Sequence, residues 1–172
     1  MPGARSLMRV AIVYHTLSGN TRRVAELLAA RLAGTADADL VEVRDRYQYS
    51  TLTAYAVGAP RALRGEAAEV EPDAIDVGDY DVVVLGSPVW AFAPTPAANG
   101  AVAALRGIDG KEAVVFITSG GGPGSAAGLL GAALEARGAR VRGAVAFDRQ
   151  NLENEAALSE LAELVTRPPS GG

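Results

Sequence analysis

Three runs of apolar residues constrain this chain more than any other feature: VAIVY at 10–14, VVVLG at 82–86 and AVVFI at 113–117. Each is short and rich in β-branched residues, so each predicts a strand. None alternates with polar residues. A strand that is apolar on both faces must be covered on both faces, which is the condition of a parallel sheet between two layers of helices.

The remainder of the chain supplies those layers. Strands are predicted at 8–15, 38–45, 80–88, 111–119 and 139–147. Residues 21–33 carry Val24, Leu27, Leu28 and Leu32 at helical spacing, and Gly34 stops that helix. Further helices are predicted at 95–106, with Pro96 in the first turn, at 125–138, ending at Gly138, and at 153–165. Residues 46–79 have no clear period beyond a short helix from Pro60 to Leu63. Strands that alternate with helices, joined by right-handed crossovers, predict an α/β fold: a doubly wound, five-stranded parallel sheet of order 2-1-3-4-5 with helices on both faces. A length of 172 residues suits one domain over 1–172, with an ordered core of about 8–165 and a tail, 166–172, that should fray.

Composition removes several functions. The net charge of −4 leaves no basic excess for a nucleic-acid backbone. The absence of Cys excludes disulfides, thiolate catalysis and Cys-based metal sites, and a single His, His15, argues against zinc. No apolar run approaches the ~20 residues of a membrane helix. The start, MPGARSLM, is too short and too weakly apolar for a signal peptide, so a cytoplasmic protein without membrane insertion is expected.

In a doubly wound sheet, ligands sit beyond the carboxyl ends of the strands, where the strand order reverses. Three loops fall there: HTLSGNT (15–21), GSPVWAFAPTP (86–96) and TSGGGPGS (118–125). In the first, the start of a helix offers free N–H groups and the positive end of its dipole. Thr16, Ser18, Asn20 and Thr21 add donors, and Gly19 lets the backbone approach closely. That is a phosphate cradle without Lys or Arg, and it is also consistent with a generous N-cap. The second loop holds the only Trp, Trp90, either a plate for a flat ring or a side chain packed under the next helix with Phe92. The third combines Gly120, Gly121, Gly122 and Gly124 with Thr118 and Ser119.

Together these loops resemble the flavodoxin-like family. IVYHTLSGNTRRVAELL (12–28) follows its start pattern, and the other two loops look like its flavin-ring loops. The resemblance spans 8–165, without a long insertion in the fifth strand, as in the short-chain type. It implies FMN, held without a covalent bond. By this resemblance Thr16, Ser18, Gly19, Asn20 and Thr21 hold the phosphate, with Leu17 giving a backbone contact. Pro88, Val89, Trp90 and Ala91 flank one side of the ring, and Thr118, Ser119, Gly120, Gly121 and Gly122 line the other. The flavin then does the redox chemistry, and no catalytic residue or metal is assigned. A redox donor and acceptor are implied, with a quinone and NAD(P)H as the candidate classes.

Two features depart from the family. Electron-shuttle flavodoxins usually surround the flavin with acidic residues, whereas 10–21, 82–105 and 113–134 contain no charged side chain. Asp148, Arg149, Arg61 and Arg64 are the nearest charges. Weak repulsion should make the reduced flavin easier to form. The second departure is the length of 46–79, where Tyr47, Tyr49 and Tyr55 either cover the flavin or pack on helices. A rival reading takes GPGSAA (122–127), with Asp148, as a dinucleotide fingerprint in a nicotinamide enzyme without flavin. A receiver-type domain lacks its acidic pair here, and a hydrolase lacks G-x-S-x-G. A flavin-binding protein without turnover stays open.

Overall fold

The structure is a computed structural model, and it describes residues 6–47 and 53–169. The five main strands are β1 (Met8–His15), β2 (Ala36–Asp45), β5 (Val82–Trp90), β8 (Glu112–Ser119) and β9 (Arg140–Asp148). They pair in parallel in the order β2-β1-β5-β8-β9, the order that the sequence predicts, but the sheet has seven strands rather than five, because two two-residue strands add antiparallel at β2 and β5. The helices are α1 (Asn20–Leu32), α2 (Ala59–Leu63), α3 (Pro96–Ala104), α4 (Ala126–Ala136) and α5 (Glu155–Thr166).

The strand alternation sorts the core into two layers. Ala11 and Val13 of β1 face the layer formed with α3 and α4, through Ala97, Ala101, Leu130 and Leu134. Val10, Ile12 and Tyr14 face the layer formed with α1 and α5, through Val24, Leu28, Leu161 and Val165. Every fully buried Val, Leu or Ile of this kind contributes about 1.5–3 kcal/mol relative to exposure, so the two layers dominate the fold's stability. The buried apolar runs thus explain why both faces of the sheet are covered by helices.

The boundaries differ where pairing overrides pattern. β5 runs on to Trp90, beyond the expected 88, because Val89 and Trp90 pair antiparallel with Pro94 and Ala93 of β6 (Ala93–Pro94). α3 ends at Ala104 rather than 106, because Leu105–Arg106, β7, pairs with Ile75–Asp76, β4. Residues 53–79 are a wrap, not a bare loop. A π-helical turn (Ala54–Gly58) leads into α2, and β3 (Val70–Glu71) covers the edge of β2.

Candidate functional site

The crevice lies at the carboxyl ends of β1, β5 and β8, and its walls are tied to one another from below. β1 ends in His15, which is buried. Its Nδ1 lies 2.9 Å from Thr95 Oγ1, and Thr95 Oγ1 also accepts the Ala98 N–H that caps α3 (3.2 Å). The Thr95 N–H donates to Ser87 Oγ (3.3 Å), and the Ser87 hydroxyl donates to the Pro88 carbonyl (2.7 Å). The Thr95 and Ser87 hydroxyls also lie 3.4 Å apart, so His15, Thr95 and Ser87 form one buried polar chain. Burial pushes His15 down to about 4, against a smaller opposing effect of Glu42. His15 is therefore a neutral strut between the first two loops, not an acid–base group.

The first loop turns into α1 through Gly19, at φ +93°. A side chain there would be strained whatever the space, and Gly is the residue that adopts this region at least cost. The Gly19 N–H is satisfied by Thr16 Oγ1 (3.0 Å). No side chain caps α1, and no carboxylate stands in its first turn. The helix start therefore keeps its open N–H groups and its positive dipole end. Leu17 and Ser18 are exposed, and Asn20 is half-buried. Thr21 goes elsewhere: its buried hydroxyl meets that of Thr118, 2.9 Å away, and bolts α1 to the third loop.

The second loop is a two-residue hairpin between β5 and β6. Ala91 (φ +50°) and Phe92 (φ +64°) both sit in the left-handed region. Hairpins of this length favour such turns, but normally with Asn or Gly, so Ala-Phe is strained by of order 1 kcal/mol per residue. Strain held at a ligand crevice marks a place where side-chain direction matters. Trp90 packs inward: its ring lies where a Cβ on Gly58 would sit, and it meets His15 edge-on at 6.3 Å. Phe92 points out, 63% exposed. The sequence leaves two readings of Trp90 open, a plate for a flat ring or a side chain packed with Phe92 under the next helix. The signal it lacked was the hairpin register, which decides which of two neighbouring aromatics faces solvent.

The third loop carries Ser119, half-buried, and the exposed Gly120, Gly121 and Gly122. It is hydrogen-bonded to the second through the Ser125 N–H and the Phe92 carbonyl (3.2 Å). That bond, with Ala126 N–H to the Pro123 carbonyl (3.3 Å), occupies donors that the GPGSAA stretch would need for a pyrophosphate. The structure thus brings together the three predicted loops, with Pro88, Val89 and Trp90 half-buried along the second. Of the three tyrosines, Tyr47 is exposed just after β2, and Tyr49 lies outside the described residues. The side chain of Tyr55 also lies outside them. Among the described residues no acidic or histidine cluster could hold a metal ion. No helix there is long and apolar enough to cross a membrane.

A family model described as flavodoxin matches residues 9–129. Among solved structures, a flavoprotein in complex with FMN from Lactobacillus acidophilus is similar, with TM-score 0.68 and 22% identity, covering 87% of this chain and 99% of that one. The two-electron reduced flavodoxin of Megasphaera elsdenii has TM-score 0.59 and 22% identity, covering 92% and 99%. A flavodoxin from the domain Archaea has TM-score 0.59 and 17% identity, covering 92% and 94%. No curated protein matches the chain.

Proposed function

This chain belongs to the flavodoxin family, and on that premise we propose that it holds one FMN without a covalent bond in the crevice and passes electrons through it. The observation that carries the reading is the uncapped start of α1 at Gly19, tied to the third loop through Thr21 and Thr118. The residues present fit the group. A phosphate dianion needs N–H donors and a positive dipole, and the α1 start offers both with no competing carboxylate. A Cβ at Gly19, Gly121 or Gly122 would meet nothing within 4 Å, so the loops leave room.

In this reading the N–H groups of Ser18, Asn20 and Thr21, with the side chains of Thr16, Ser18 and Asn20, take the phosphate, and Leu17 contributes backbone. Thr21 and Thr118 act mainly by holding the two loops together. Pro88, Val89, Ala91 and the exposed Phe92 ring form one wall for the flat ring system, and Ser119 to Gly122 form the other. Trp90 supports the hairpin from behind. Bound FMN supplies reversible one- and two-electron transfer. The protein's part is to bind it, shield it and hold its walls fixed.

The neutral loops favour an uncharged small acceptor of the quinone class over a protein docked by charge. NAD(P)H is the candidate donor. Absorption spectra of the purified protein, before and after FMN addition and desalting, test the cofactor: flavin bands retained near one-to-one support it, and no retention removes it.

A further inference from the structure

Among the described residues nine arginines lie in ion pairs. Arg149 has none, and it stands at the crevice. The register of β8 and β9 sets Ser119 beside Asp148, and the Arg149 N–H donates to the Ser119 carbonyl (2.8 Å). The guanidinium then folds over Gly120. A Cβ at Gly120 would lie 2.5 Å from Arg149 Nε and 2.7 Å from Cζ, so this contact exists only because residue 120 has no side chain. The nearby carboxylates are otherwise engaged. Asp148 accepts the Gln150 N–H (2.8 Å), and Glu153 pairs with Arg23. The three loops themselves contribute no charge.

We propose that Arg149 is the potential-setting residue of the crevice, a fixed cation laid on the third loop that favours the reduced over the oxidised state of the bound flavin. The inference rests on the FMN reading above. Uptake of two electrons and one proton adds one negative charge to FMN, with dithionite, oxidised to bisulfite, as the electron source in a titration. A guanidinium against the ring loop attracts that added charge, and among the described residues no carboxylate forms an ion pair with it, although Asp148 precedes it at the end of β9. It binds the reduced state more tightly and moves the two-electron potential upward.

The test is an anaerobic dithionite titration of the FMN-loaded wild type and of R149K, R149Q and R149E, at low and high salt, with melting curves to show each is folded. The expected potentials fall in the order Arg and Lys together, then Gln, then Glu. The expected step from Arg to Gln is about tenfold in the ratio of reduced to oxidised affinity, equal to about 30 mV for a two-electron couple. The steps shrink in high salt, because the site opens to solvent. Equal potentials across the loaded series overturn the proposal, as does R149K behaving like R149Q. A wild type that retains no FMN overturns the cofactor reading as well, which separates the two failures.

Discussion

At the residue scale, the functional arrangement depends on a few side chains whose surroundings set their chemistry. His15 is the clearest. Its value near 4 in the fold, against 6.5 when unfolded, means that the unfolded chain binds more protons between those values. The neutral His15 is fully compatible with the fold above pH 6.5, and stability falls as pH drops from 6.5 towards 4. The span corresponds to about 3 kcal/mol. A pH series of denaturant unfolding should show this slope, and H15Q should flatten it. Arg142 makes a different prediction. It pairs with Glu112 at 3.2 Å, both side chains being largely buried, and donates to the Leu164 and Val165 carbonyls at the end of α5. R142A leaves a buried carboxylate alone and should cost about 3–5 kcal/mol, read as a shift in denaturant midpoint.

At the scale of elements, the 90–93 hairpin is built against local preference, whereas the start of α1 has Gly19 where a positive φ is needed. Relieving Ala91 by A91G should stabilise the protein by about 1 kcal/mol in thermal unfolding, since Gly takes a positive φ without a Cβ penalty. F92A should leave stability nearly unchanged, because the ring is 63% exposed, while weakening FMN binding severalfold in fluorescence quenching. Here the sequence was only half legible. The hydroxyl-rich loop identified the helix start, because Thr, Ser, Asn and Gly around a strand end have few other uses. The same composition could not tell that the Thr21 hydroxyl turns under the loop to Thr118, since that contact needs β1 and β8 placed on either side of β5. Nor could it tell Trp90 from Phe92, because the hairpin turn has no Gly or Asn to mark its tip.

At the scale of the molecule, the covered parallel sheet could be read from the chain because three strands are apolar on both faces, and the order 2-1-3-4-5 is the common one for such a sheet. The wrap over 53–79 could not, because β3, β4 and β7 are two residues long and exist through their pairing, not their pattern. The sequence places Arg149 among the charges nearest the crevice, but its fold over Gly120 was hidden, being fixed by strand register. Three loops bonded to each other make a site that is already formed before a ligand arrives, so binding should stabilise the whole domain with little ordering cost. FMN at a hundred times its dissociation constant should add about 2.7 kcal/mol, roughly 5–10 °C in Tm for a domain of this size. The most direct measurement is calorimetric titration of the protein with FMN and with riboflavin, which has the ring and lacks the phosphate. One-to-one binding of FMN, with riboflavin at least tenfold weaker, is the result expected of a ring crevice joined to a phosphate cradle at Gly19. No heat with FMN, or riboflavin binding as tightly as FMN, would contradict it.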